Sequence, residues 1–184
     1  ARLLPDMACV RTRGVASAAN RDDDRTVRTG GCECGAVRVR AESLLDNPHV
    51  CHCRMCQKAT GGFFAALVGV PDSDLSWTRG QPTVFRSSEN VERGFCRDCG
   101  TPLFYHDVGG HHHSLSIPSF DDPAAIPLLF EAGIATRLPQ LAQLGHLPVE
   151  DFEGDSPDWA AAIAATTRQH PDYETFDDDE DFPV

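Results

Sequence analysis

The chain has 184 residues, 41% of them hydrophobic and 24% charged, the composition of one ordinary globular domain with room for a proper core. Its formal net charge of −12 argues against partners recognised by neutralising phosphates, whether nucleic acid or an anionic lipid surface. No apolar run approaches the ~18 residues of a membrane span.

Residues 1–26 read as a flexible N-terminal arm. Its first twenty residues hold no continuous apolar core of a secretory signal, so a cytoplasmic, reducing setting is expected. From Val27 the pattern changes. Gly30-Gly31-Cys32-Glu33-Cys34-Gly35 reads as a turn, and Ala36 to Ala41 alternates like a half-buried strand. Val50 to Cys53 is short and extended. Arg54 to Lys58 reads as one helical turn, stopped at Gly61-Gly62. Phe63 to Val70 is nearly continuous in apolar residues and predicts a buried strand. Further short strands are expected at Thr83 to Arg86, Val91 to Cys96, Pro102 to His106 and Ser114 to Ile117, spaced as in a small all-β domain. Asp121 to Ala125 and Pro139 to Leu144 read as short helical pieces. With these the main domain spans 27–155. A C-terminal helix is predicted over 156–170, with Ser156 as its cap and Pro157 in its first position. Residues 171–184 carry seven acidic and no basic side chains, which predicts a disordered tail.

The chemistry-bearing residues are cysteines. Seven of the eight fall into three tight groups, and Cys9 stands apart. In an extended segment, Cys32 and Cys34 point to one face and can pinch one ion. Cys96-Arg97-Asp98-Cys99-Gly100 is a knuckle in which both sulfurs turn inward. Together these four supply the closed thiolate set that a structural zinc prefers. The middle group, Cys51, Cys53 and Cys56, offers three thiolates and no evident fourth, the count of a metal site with an exchangeable position. Spacing alone also allows Cys53 and Cys56 to join Cys96 and Cys99 as a zinc ribbon, which would strand Cys32, Cys34 and Cys51. Close thiolates also oxidise readily, so a redox switch is a third reading. Fifteen of the sixteen basic residues are Arg; the one Lys, Lys58, lies two positions past Cys56. His52, between two ligand candidates, reads as a surface or core residue. Met55 reads as packing, Phe63 and Phe64 as core or cleft wall, Tyr105 and His106 as cleft or core, and His111-His112-His113 as a strand start, with adventitious nickel or zinc binding as its alternative.

The series GGCECGAVRV, CHCRMCQKATGG, RGFCRDCGTPLFY and SFDDP resembles the family of glutathione-dependent formaldehyde-activating enzymes, whose domain is shared with a centromere protein. The resemblance runs from about Gly30 to about Phe152. It implies a mainly β chain with the β-tent (Mss4-like) fold of small twisted antiparallel sheets, and two Zn2+ per chain. It places a structural zinc on Cys32, Cys34, Cys96 and Cys99 and a second zinc on Cys51, Cys53 and Cys56. The stretch Arg137-Leu138-Pro139-Gln140 also resembles the family, with Gln140 where Trp is usual.

The implied partners are a small thiol, glutathione or an analogue, and an aldehyde such as formaldehyde, with a homodimer among the assemblies admitted. The implied activity is that of a carbon–sulfur lyase. Three thiolates leave a divalent ion with net negative charge, so it is a weakened Lewis acid, better suited to capturing a thiol than to polarising a carbonyl. Arg54 and Lys58 are candidate cations to offset that charge, and Cys51, Cys53, Cys56 and Lys58 are the candidate catalytic set. The alternative is a non-catalytic zinc-stabilised β module that binds a small thiol or a protein partner.

Overall fold

A computed structural model describes residues 27–150 and 156–175. The N-terminal arm with Cys9, and residues 176–184 of the acidic tail, lie outside the described residues. The architecture is mainly β, in two sheets. The smaller has the order β1 (Arg28–Gly31), β2 (Arg38–Ala41), β5 (Leu75–Arg79). The larger has seven strands, formed by β3 (His49–Cys51), β4 (Ala65–Pro71), β6 (Thr83–Ser88), β7 (Val91–Phe95), β8 (Pro102–Asp107), β9 (His112–Ser116) and β10 (Phe130–Ala132), in the order β10-β3-β4-β9-β8-β7-β6. Pairing is antiparallel except between β10 and β3.

The apolar run of β4 has a simple cause. Val68 and Val70 pack into the core beneath the small sheet, with Val37, Val39, Phe104 and Leu115. Ala65 and Leu67, on the alternate positions, pack with Cys51 and Cys56. Both faces of the strand are therefore covered, and its period-2 pattern disappears. The strand starts at Ala65 rather than Phe63, and Phe63 itself is exposed.

Between β3 and β4 the helix α1 (Arg54–Thr60) is longer than a single turn, and Gly61 closes it in the left-handed conformation. Met55 is exposed on it rather than packed. Three strands are additional to those expected. β1 and β10 are short, and β5 alternates half-buried and exposed residues around Trp77. The helical pieces near Pro123 and Pro139 are 3-10 turns over Pro123–Ala125 and Pro139–Gln143. Helix α2 (Pro157–Thr166) has Pro157 in its first turn, but Ser156 makes no capping bond through its side chain, and no residue of the helix is buried.

The alternation of Ala36 to Ala41 breaks at Arg38, which is 3% exposed. Its guanidinium holds both carboxylate oxygens of Asp121, at 2.9 and 2.6 Å, and Thr29 donates to the same carboxylate at 2.5 Å. Arg38 also donates to the carbonyl of Tyr173 at 3.2 Å, and the amide of His170 donates to the carbonyl of Glu33 at 2.6 Å. His170, just before the predicted acidic tail, and Thr175, within it, are both buried. Removing one partner of a buried bidentate pair strands the other charge. Asp121→Ala should therefore destabilise the chain by about 3–5 kcal/mol, read by denaturant unfolding. A loss under about 1 kcal/mol, the worth of an exposed pair, would show that water replaces the carboxylate.

Candidate metal centres and cleft

Two turns from different sheets meet at the first cluster. The β1–β2 turn carries Cys32 and Cys34, and the β7–β8 turn carries Cys96 and Cys99. Their sulfurs all lie within 4.8 Å of one another. Measured pairs are 3.6 Å for Cys32–Cys34 and 3.8 Å for Cys34–Cys96. A tetrahedral ion with metal–sulfur bonds of about 2.3 Å sets sulfur–sulfur edges of about 3.8 Å, so this set fits zinc. The seven described cysteines are free thiols rather than disulfides.

The surrounding backbone supplies donors suited to thiolate charge. The Val37 amide donates to Cys32 Sγ at 3.2 Å and the Asp98 amide to Cys96 Sγ at 3.4 Å. Gly100 closes the knuckle at φ +82°, a conformation that disfavours a Cβ. Without metal the four thiols differ. Burial pushes Cys32 up. At Cys99 burial also acts upward, but hydrogen bonds with Thr101 and Cys34 together outweigh it and bring the thiol to about 6.

The second cluster lies on the opposite face of β4. Cys51 ends β3, Cys53 caps α1 and Cys56 faces inward from its first turn, with the three sulfurs within 4.8 Å of one another. Cys53 Sγ accepts from the Cys56 amide at 3.4 Å. Hydrogen bonding from the neighbouring thiols of Cys51 and Cys56 brings Cys53 down to about 2, while sharing with Cys53 pushes Cys51 up. Three thiolates, with no fourth cysteine joining this cluster among the described residues, can hold a zinc ion with one position left over.

The loop after β10 secures this cluster. The His52 amide donates to the carbonyl of Ala132 at 2.8 Å. The buried Gln57 amide ties the carbonyls of His52 and Thr136 at 2.7 and 2.9 Å. Gly133 approaches so closely that a Cβ there would lie 2.8 Å from the Cys53 nitrogen. His52 is a core residue, 1% exposed, edge-on to Phe64.

The cation at the trio is Arg93. It is 9% exposed, its Nη2 lies 3.6 Å from Cys56 Sγ, and its guanidinium covers the Tyr105 ring at 5.2 Å. Arg93 and Tyr105 pair directly between β7 and β8, so sheet register places them together. Sequence proximity points instead to Arg54 and Lys58. Arg54 is exposed and bonds Gln57, and Lys58 is exposed in the last turn of α1.

Beside the trio opens a cleft of about 270 Å3. Arg93, Tyr105, Ala65 and Leu67 border both, and Phe85 and Phe95 extend the apolar wall. Ala59 and Thr60 reach the cleft, whereas Lys58 is not among its lining residues. Tyr105 is thus a cleft residue, and its hydroxyl donates to Asp107 at 2.5 Å. His106 packs instead against the ring of His113. Among the described residues no helix is long and apolar enough to cross a membrane.

Several known proteins are similar to this chain. A Halomonas elongata protein, named provisionally as a glutathione-dependent formaldehyde-activating enzyme, is 29% identical over 71% of this chain and 77% of its own length. A Phaeosphaeria nodorum protein with the same provisional name is 34% identical over 44% of this chain, which spans only 43% of that relative's length. A solved Rhodobacter sphaeroides protein is similar at 22% identity and a TM-score of 0.47, over 56% of this chain and 99% of that one. The family model described as glutathione-dependent formaldehyde-activating enzyme matches residues 27–129, and the chain belongs to that family.

Proposed function

We propose that the chain is a carbon–sulfur lyase that forms or cleaves the S-hydroxyalkyl adduct of a small thiol and an aldehyde, glutathione and formaldehyde being the pair in the family's name. Two zinc ions would be held, one by Cys32, Cys34, Cys96 and Cys99 and one by Cys51, Cys53 and Cys56. The observation that carries this reading is a three-sulfur cluster sharing its wall with a cleft and with a buried guanidinium. When bound at the trio, zinc would supply an exchangeable position and a lowered thiol pKa.

The protein's own residues do the rest. Arg93 offsets the excess negative charge that three thiolates leave around a divalent ion, and it favours an anionic sulfur arriving beside Cys56. The Tyr105 ring holds that guanidinium in place. The apolar walls exclude water from the aldehyde carbon, so the thiol sulfur meets little competition from hydration. In the synthetic direction a carbon–sulfur bond forms, the carbonyl π pair moves to oxygen, and the proton released by the thiol ends on that oxygen. No further co-reactant is consumed. Lys58, outside the lining, would act only at long range.

The test is cobalt substitution followed by millimolar glutathione, with adduct formation followed separately by NMR. Glutathione should alter the visible spectrum of the trio cobalt, and adduct should form faster than without protein. Arg93→Met should weaken the glutathione response tenfold or more, the scale of a charge-assisted hydrogen bond of about 1.5–3 kcal/mol. Lys58→Ala should change it less than twofold. An unchanged cobalt spectrum with adduct formation at the background rate would replace the enzyme by the zinc-stabilised binding module.

A further inference from the structure

A second group of potential ligands lies away from both cysteine clusters. In the large sheet, Val68, Leu115, Phe104 and Gly94 form one cross-strand row from β4 to β7. Two residues further along the same face the row becomes Val70, His113, His106 and Glu92. Directly opposed side chains share a face and touch. The apolar surface therefore ends in two adjacent imidazoles and a carboxylate. The chain leaving β4 then brings Asp72 over this row, with Oδ1 2.8 Å from His113 Nδ1.

One nitrogen from each imidazole and one Asp72 oxygen lie within 4.8 Å of one another. The two rings stack at 4.2 Å. His106 Nε2 is sealed from solvent and has no hydrogen-bond partner. An orphaned buried nitrogen of this kind calls for a missing water or ion. Burial, aided by His113, also pushes His106 down, while Asp72, Glu92 and Asp107 pull the other way. Arg86, across from Glu92 on β6, donates to the carbonyl of Glu89 at 2.9 Å.

We infer that His106, His113 and Asp72 form a further metal site, for a borderline divalent ion such as Zn2+ or Ni2+. Two imidazoles and one carboxylate are the ligand set such ions take, with a remaining position for water. The ion would replace whatever proton joins His113 to Asp72, and a small ring rotation would turn both nitrogens toward it. The ligands come from the turn just after β4, from β8 and from β9, so binding would also pin the rim of three neighbouring strands. This inference is independent of what the cysteine clusters do.

The experiment is equilibrium dialysis of the full chain against micromolar free Zn2+, with elemental analysis per chain. His113→Gln and His106→Ala should each bind one equivalent less than the parent. Asp72→Asn should weaken that equivalent at least tenfold. A paired His111→Ala, His112→Ala variant should retain it. Ring 15N NMR of the parent should show two histidines shifting together as that equivalent is added, which covers any variant that fails to fold. Equal stoichiometry in the parent and His113→Gln, with no paired shift, would overturn the site. Loss confined to the His111, His112 variant would do the same, since it would assign the extra ion to the exposed histidine run.

Discussion

Cys99→Ser should leave a chain that no longer folds. The four-cysteine cluster joins a turn of the small sheet to a turn of the large one, across 62 residues between Cys34 and Cys96. A structural zinc at such a site contributes roughly 10 kcal/mol or more of folding free energy. The whole stability of a domain is only about 5–15 kcal/mol. A serine hydroxyl is a poor ligand, and it also leaves three crowded sulfurs around a weakened ion. Circular dichroism should show lost strand signal, and elemental analysis should show loss of the metal at this cluster. Acid should do the same to the parent protein. Cys32 is pushed up by burial, so protons compete strongly for it, and affinity must fall as pH falls. A cooperative melt near that of the parent in Cys99→Ser would sink the idea that metal at this cluster holds the sheets together.

The strands most legible in the sequence are those whose pattern reflects local burial. β4 stands out because the core covers one of its faces and the trio the other. β7 and β8 are bracketed by Asn90, by the cysteine knuckle and by Gly109-Gly110. What the sequence conceals depends on pairing. β1 and β10 are short strands whose partners, β2 and β3, alone make them strands. The partition of the cysteines stays open on spacing because Cys34 and Cys96 meet only through the arrangement of the two sheets. The motif series narrows it, and the structure brings the sulfurs together in two groups of four and three.

The same logic explains the cation. Lys58 draws notice because it is near Cys56 in the chain, but a position two residues further along a helix points elsewhere on its surface. Arg93 is 37 residues away and reaches Cys56 because one sheet carries both β7 and the strands β3 and β4 that flank α1. Arg38 is a parallel case. Alternation turns it outward on paper, and Asp121, brought by the loop after β9, together with the Tyr173 carbonyl makes its burial tolerable. A buried arginine with a distant acidic partner leaves no periodic signal. The SFDDP motif, read for its resemblance, is the one local trace of that partner.

The trio should behave differently from the four-cysteine cluster, and Cys53→Ser separates them cleanly. Cys53 plays two parts: its sulfur belongs to the trio, and it accepts from the Cys56 amide at the start of α1. Serine is a favoured N-cap, so this replacement keeps the helix start while removing one thiolate of three. The fold should survive, with a stability change within about 1 kcal/mol, the scale of a cap. Metal content should fall by one ion per chain, and adduct formation should drop to the rate measured without protein. Cys53→Ala makes a useful companion, because it also removes the cap and should melt lower than Cys53→Ser while matching its lost activity. If Cys53→Ser unfolds as Cys99→Ser does, the trio is a second structural site. If it stays folded, loses the ion and still accelerates adduct formation, the chemistry lies in the cleft alone, and Arg93 rather than the cysteines becomes the residue to pursue.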